Sequence, residues 1–293
     1  MDGRIKGWMQ LVRPANVVTS IADGLAGISL GCLFLNLALP GGFTLAYIVM
    51  ANVFLYAGGI VFNDVFDAKV DKIERPQRPI PSGKVNGKLA AIFGSICFAL
   101  GVLFAFGVNQ TVGWLAILIV LMCFLYNGKA KHHVFAGPIV MGSCRALNLL
   151  LGITFVPAAL DYWYIAFVPL VYIAAITNIS RGEVYGDNKT AMRVSLLLYT
   201  LVIIALLYVY IQGEHYIAII FIGAFAFMIL KPLLHALKTV QPADIQKSVK
   251  YGVLALILLN ASWAAISGFY ILSLIVVSLL PISIYLSKKF AVT

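Results

Sequence analysis

An all-α bundle of membrane-spanning helices is the fold class this sequence predicts, and three observations point there. Hydrophobic residues make up 62% of the 293 residues and charged ones only 11%, outside the range of an ordinary soluble domain. Apolar runs long enough to cross a bilayer recur along the whole chain. Lys and Arg are alternately present in and absent from the connections between those runs. Together these predict a polytopic protein embedded in a lipid bilayer, read as one domain over residues 1–293. The net charge of +10 then has a topological cause, and nucleic acid is not an expected partner. Cys32, Cys97, Cys123 and Cys144 fall in apolar segments without paired spacing, so neither a disulfide framework nor a zinc site is expected.

Residues 1–13 are polar and basic, and the apolar run behind them is too long for a signal peptide and lacks a small-residue cleavage site, so it is expected to remain as a helix. Spans are read at residues 16–39, 43–62, 89–108, 113–126, 137–155, 163–179, 194–211, 216–234, 251–267 and 269–286. The last division is forced. A single helix over residues 251–286 would extend about 54 Å at about 1.5 Å per residue, against a hydrocarbon core of about 30 Å. A break near Gly268 is therefore required. Every even-numbered exit is basic, from Lys69 to Lys88 after the second span to Lys288 and Lys289 after the tenth, whereas the odd-numbered exits contain no Lys or Arg. Both termini and all basic exits are thus expected in the cytoplasm.

The second span runs into Asn63-Asp64-Val65-Phe66-Asp67-Ala68-Lys69-Val70-Asp71. If the helix continues, Asn63, Asp67 and Asp71 fall at i, i+4 and i+8 on one face. Oxygen donors at that spacing suit Mg²⁺, which takes one or two protein carboxylates together with waters and substrate phosphate oxygens, so a diphosphate is the natural ligand. The plainer alternative is a solvated acidic helix end whose charges pair with Lys69, Lys72 and Arg75. Pro76, Pro79, Pro81 and Gly83 then predict an extended, stiff loop carrying Arg75, Arg78 and Lys84, and Arg offers phosphate oxygens a planar fork of donors.

Further along, Lys129 and Lys131 close the fourth span within reach of a phosphate on the same side, while His132 and His133 read as an interfacial pair. Arg145 and Asn148 share one face of the fifth span. A guanidinium inside an apolar run needs an anionic partner, which marks Arg145 as a substrate-site candidate. Asp23 in the first span needs a partner too, structural or functional. Glu183 and Asp187 follow the sixth span as a second carboxylate pair at i and i+4. Asp67 and Asp187 lie 120 positions apart, one after the second span and one after the sixth, which suggests two similar four-helix halves.

On these residues the chain resembles the UbiA superfamily of intramembrane prenyltransferases, in which N-D-x-x-D-x-x-x-D after the second helix and D-x-x-x-D after the sixth bind a prenyl diphosphate through Mg²⁺. Asn63, Asp64, Asp67 and Asp71 match the first motif, and Arg75 to Gly83 (Arg-Pro-Gln-Arg-Pro-Ile-Pro-Ser-Gly) is similar to the run that follows it. Arg13-Pro14 and Tyr126 with its following lysines also resemble family motifs. Cys144-Arg145-Ala146-Leu147-Asn148-Leu149 and Ser180-Arg181-Gly182-Glu183-Val184 look most like the EboC-type branch. The second motif departs in carrying Glu183 in place of the usual Asp.

The resemblance implies a nine-helix core, leaving residues 269–286 as an additional span. It implies Mg²⁺-dependent transfer of a prenyl group from a prenyl diphosphate to an aromatic or other lipophilic acceptor within the membrane. Metal ligands are then expected at Asn63, Asp64, Asp67, Asp71, Glu183 and Asp187, with Asp64 more an orienting group than a direct ligand. Catalytic roles are expected for Asp67, Asp71, Glu183, Asp187 and Arg145. Substrate contacts are expected from Arg13, Asn16, Arg75, Arg78, Lys129, Lys131, Asn148 and Arg181. A non-catalytic binder or exporter of a lipophilic precursor would reuse the same cavity and stands as the alternative. An ion-coupled transporter fits less well, because the acidic groups gather at one mouth and not near the midplane.

Overall fold

The computed structural model describes residues 3–182, 186, 189–213 and 215–290. A short helix α1 (Gly3–Val12) precedes α2 (Pro14–Leu35), α3 (Gly42–Glu74), α4 (Gly87–Val108), α5 (Gln110–Gly128), α6 (Ala136–Ile153), α7 (Phe167–Ser180), α8 (Lys189–Ile211), α9 (Ala218–Thr239), α10 (Pro242–Ile266) and α11 (Tyr270–Phe290). Tight 3₁₀ turns at Ala130–His132 and Pro157–Ala166 lead into α6 and α7. Among the described residues, 10 helical segments are long and apolar enough to cross a membrane, and they coincide with the ten spans read from the sequence. The required break falls where expected: Gly268 takes a φ of +81° between α10 and α11, a backbone conformation that glycine adopts without a Cβ penalty. The protein is an integral, multi-pass membrane protein. Large apolar side chains such as Leu103, Trp114, Leu197, Phe227 and Ile271 stand exposed on the bundle perimeter, as a surface solvated by lipid requires.

Contacts between the connections sort them into two ends. Arg13 meets Asp64, Lys131 meets Asp67, and Arg181 donates to the His133 carbonyl. At the same end Ser283 donates to the Ala15 carbonyl. These residues all lie at or near even-numbered exits or the N-terminal entry. At the opposite end, Asn109 donates to the carbonyls of Thr154 and Phe155, Phe34 stacks on Tyr162, and His215 meets Tyr270. The basic connections therefore share one face of the bundle.

Two features of the helices position the site. Helix α3 has 33 residues, about 50 Å at about 1.5 Å per residue, and so overruns a hydrocarbon core of about 30 Å. Its surplus carries residues 63–74 beyond the apolar part as continuous helix. Helices α2 and α6 run parallel and cross backbone to backbone, since a Cβ on Gly27 would collide with the Leu149 carbonyl and one on Gly152 with the Gly24 carbonyl. Small residues at such a crossing permit the close packing that lipid-embedded helices use in place of a hydrophobic drive. Helix α10 fills the centre, with the run from Leu254 to Ile266 buried throughout.

The proline-rich connection corrects its sequence reading. Residues 76–85 form successive turns, closed by backbone bonds from Arg78 to Arg75, Ser82 to Arg78, Gly83 to Ile80 and Val85 to Pro79. The loop is compact because Val85 is pulled into a small apolar cluster with Leu11, Val61 and Ala90, a burial that the prolines alone do not reveal.

Candidate substrate cavity

Below the overhanging end of α3 lies a cavity of about 580 Å³. Its mouth is polar and its deeper wall largely apolar, with Leu55, Ile60, Ile119 and Ile173 among the lining side chains. Asn63, Asp67 and Asp71 face it together, as the i, i+4, i+8 spacing requires. Asp64, rotated about 100° around the helix, is not among the lining residues. It is buried and held by Arg13, whose Nη2 stands 2.5 Å from Oδ1, with Arg78 Nη1 3.6 Å from the same oxygen. Asp64 therefore stands outside the row of oxygens that Asn63, Asp67 and Asp71 turn toward the cavity.

Asp67 and Asp71 at the mouth each have a cation. Arg78 Nη1 donates to Asp71 Oδ2 at 2.7 Å, and Lys131 Nζ pairs with Asp67 Oδ1. Arg78 is itself nearly buried, so one guanidinium bridges Asp64 and Asp71 across the compact loop and α3. Arg75 also lines the cavity, and no carboxylate partner for it occurs among the described residues. Arg13 reaches the site from an unusual backbone: its φ of +49° lies in the left-handed region, which costs a non-glycine residue on the order of 1 kcal/mol. The kink separates α1 from α2 and directs the side chain at Asp64. Asn16 lies one turn deeper on α2 and lines the cavity.

Residues singled out in the sequence do not all arrive. Lys129 is exposed and off the cavity, and Arg181 lies beside the His133 carbonyl at 2.8 Å. For the lysines a two-residue offset decides this: Lys131 lies within the 3₁₀ turn and lines the cavity, whereas Lys129 precedes the turn. Glu183 and Asp187 lie outside the described residues. Conversely, Tyr56 and Asn127, which the sequence reading passed over, and His132, which it read as half of an interfacial pair, line the cavity. Asn127 accepts from Asn63 Nδ2 at 3.0 Å and anchors itself to the Cys123 carbonyl at 2.9 Å. Its place next to Tyr126 was the available signal. His133, by contrast, caps α6 by accepting the backbone N–H groups of Phe135 and Ala136, a structural duty.

Deeper in, Arg145 and Asn148 line the cavity wall from α6, each 3% exposed. Arg145 finds an anionic partner on α2. Its Nε lies 2.7 Å from Asp23 Oδ2, so the first span supplies a compensating anion. Arg145 Nη2 also donates to the Thr19 carbonyl at 2.9 Å, and its Cζ sits 5.3 Å from the Tyr56 ring centroid. Asn260 on α10 donates to Asp23 Oδ1 at 2.7 Å. Asp23 thus has its structural partner.

The donor set fits a hard cation of the Mg²⁺ type. Among the described residues no three His, Cys, Asp or Glu side chains converge as a preformed cage, yet Asn63, Asp67 and Asp71 present oxygen donors along one face toward a cavity able to hold the phosphate that would complete the shell.

Comparison with known proteins agrees with this geometry. The sequence profile of the UbiA prenyltransferase family matches residues 25–251. The digeranylgeranylglyceryl phosphate synthase of Methanopyrus kandleri is 32% identical over 199 residues, 64% of this chain and 68% of that one. Among solved structures, the apo UbiA homolog of Aeropyrum pernix K1 superposes with a TM-score of 0.65 at 15% identity, covering 84% of this chain and 96% of that one. The Archaeoglobus fulgidus UbiA homolog bound to GPP and Mg²⁺ gives a TM-score of 0.64 at 16% identity, covering 89% and 99%. At these identities the structural likeness concerns the fold. With its profile matched over more than half of its length, the chain belongs to the UbiA prenyltransferase family.

Proposed function

We propose that this protein transfers a prenyl group from a prenyl diphosphate to a lipophilic acceptor within the membrane, in a Mg²⁺-dependent reaction. The observation that carries the reading is the mouth itself: carboxylates and cations interleave on one face of α3, at the opening of a cavity whose deeper wall is apolar. Such a mouth suits a diphosphate head, and such a wall suits an isoprenoid tail. The Archaeoglobus fulgidus homolog, described as bound to GPP and Mg²⁺, supports the same donor class.

Asn63, Asp67 and Asp71 are the residues we assign to the metal, with Glu183 and Asp187 as the second cluster. Mg²⁺, when bound, supplies positive charge to the diphosphate oxygens. Lys131 and Arg78 pair with the carboxylates of Asp67 and Asp71. Diphosphate offers those cations new anionic partners, which frees Asp67 and Asp71 as donors. Arg75, Arg78 and Lys131 then surround the leaving group. Charge grows on it as the allylic C–O bond breaks, so these cations stabilise the transition state more than the ground state. Leu55, Ile60 and Ile119 keep water from the allylic carbon until the acceptor reacts.

The acceptor is an aromatic or other lipophilic molecule. The finer likeness to the EboC-type branch rests on residues 144–149 and 180–184, and carries with it a bacterial inner membrane. The curated relative named above is archaeal. The basic even-numbered exits support a cytoplasmic cavity mouth and cytoplasmic termini.

The test uses membranes containing the protein, geranyl diphosphate and lipid extract from the source cells. Free diphosphate and geranylated lipid are expected in equal amounts with Mg²⁺. A chelator should abolish both, and Asp67→Asn or Asp71→Asn should lower both about 100-fold or more. Saturable geranyl diphosphate binding with no diphosphate release under any condition would overturn transfer and favour a binder.

A further inference from the structure

Two residues that line the deep wall of the cavity each carry a polar atom left out of the protein's own network. Arg145 Nη1 and Asn148 Oδ1 are buried and have neither a hydrogen bond nor an ion pair among the described residues. Both residues are 3% exposed and both line the cavity. Buried polar groups are nearly always paired, so each orphan calls for an explanation. Here the two are complementary, one a donor and one an acceptor, and they sit at i and i+3 on one face of α6, neighbours on the helix surface.

Their depth separates them from the diphosphate mouth. Arg145 is tied to Thr19 and Asp23 on α2. Thr19 lies six residues beyond Arg13, about 9 Å along the axis at about 1.5 Å per residue. That is well below the level at which Arg13, Asp64, Asp67 and Lys131 meet. The charge is also already balanced. Asp23 pairs with the guanidinium and is fixed from its other side by Asn260, so the free Nη1 donates from an ion pair with no net charge. An anionic group brought here would leave a buried negative charge in excess, which is costly. A hydroxyl costs nothing of the kind: its oxygen accepts from Nη1 and its hydrogen goes to Asn148 Oδ1.

We propose that Arg145 and Asn148 form a charge-neutral donor–acceptor subsite for a hydroxyl group of the lipophilic acceptor, with Asp23 and Asn260 as positioning residues that hold the guanidinium and cancel its charge. This deepens the prenyl-transfer reading and rests on it for the word acceptor. The subsite itself is a binding claim about an uncharged hydroxyl. It reassigns Arg145 from the diphosphate, where the sequence alone placed it, to the second substrate.

The test uses the purified full-length protein in an uncharged detergent, with two matched probes, 4-octylphenol and 4-octylbenzoate, whose apparent affinities are corrected for partition into protein-free micelles. The wild type is expected to bind the phenol at least fivefold more tightly than the benzoate. Asn148→Leu removes an amide that makes no hydrogen bond among the described residues, so its melting temperature should not fall, yet phenol affinity should drop about five- to tenfold, the usual reach of one hydrogen bond. Asp23→Asn leaves the guanidinium charge uncompensated and should reverse the preference toward benzoate, a change that a purely structural Asp23 would not produce. Wild-type preference for benzoate, or a folded Asn148→Leu protein with undiminished phenol affinity, would overturn the subsite. Should Asp23→Asn not fold, the Asn148→Leu comparison decides alone. Geranyl diphosphate binding to the wild type, measured in the same detergent, keeps the two readings apart: its absence would count against prenyl transfer, while the phenol results would still decide the subsite.

Discussion

At the residue scale, the charged side chains differ in how much of the protein's stability rests on them. Arg78 bridges Asp64 and Asp71 in nearly complete burial. Arg78→Met would strand two carboxylates, and a loss of about 3–5 kcal/mol of stability is expected, the usual cost of breaking a buried pair. Arg75 has no such duty. Arg75→Met is expected to leave the melting temperature within a degree or two and to weaken geranyl diphosphate binding about tenfold. A thermal scan beside a titration separates the two, and a strongly destabilised Arg75→Met would contradict this difference. For Asp23 and Arg145 the useful experiment is a double-mutant cycle. Asp23→Leu alone should cost about 3–5 kcal/mol, whereas Asp23→Leu with Arg145→Met should cost far less, because the second change removes the stranded guanidinium. Additive losses would mean the pair is not coupled. The sequence announced that Arg145 needed an anion and that Asp23 needed a partner. It could not announce that they were each other's, since 122 positions separate them and only the α2–α6 crossing brings them together.

At the scale of elements, the helices were legible and some of their junctions were not. Hydrophobic length fixed the ten spans, and the break at Gly268 followed from the bilayer thickness alone. The persistence of α3 to Glu74 was conditional in the sequence, because polar residues 63–74 read equally well as helix or loop. What settles it is the capping and packing at its end, where Arg75 N donates to the Asp71 carbonyl and the compact loop folds back on Val61. Helix α1 was read only as a basic stretch. Its amphipathic turn packs Leu11 inward, and Trp8 lies edge-on to Phe93 with ring centroids 5.3 Å apart. The parallel α2–α6 crossing is the element-level feature on which the deep wall depends. Gly27→Val is expected to destabilise the bundle by about 1–3 kcal/mol or more and to disturb the Asp23–Arg145 contact. Gly223→Ala on α9, where an added Cβ meets nothing within 4 Å, should be near neutral. Equal effects at the two glycines would count against a backbone-to-backbone crossing.

At the scale of the whole molecule, the arrangement gathers every basic connection at one end and opens a cavity there toward an apolar interior. The Lys/Arg pattern of the sequence supports the proposal that this end is cytoplasmic. Single cysteines placed at Lys129 and Lys238 in a cysteine-free background should react with an impermeant reagent only from the cytoplasmic side, and one at Thr111 only from the other. Labelling of all three from one side would refute the topology. The fold, the first acidic motif and most of the mouth were readable from residue spacing. The failures at Lys129 and Arg181 came from local register, which spacing along the chain does not encode. The central claim is that the mouth exchanges its own cations for a metal-bound diphosphate at Asp67 and Asp71. The most direct measurement is a calorimetric titration of geranyl diphosphate into the purified protein, with Mg²⁺ and with chelator, for the wild type and for Asp67→Asn/Asp71→Asn. Saturable binding that requires both Mg²⁺ and the two carboxylates is the expected result. Equal affinity with and without Mg²⁺ in both proteins would contradict it.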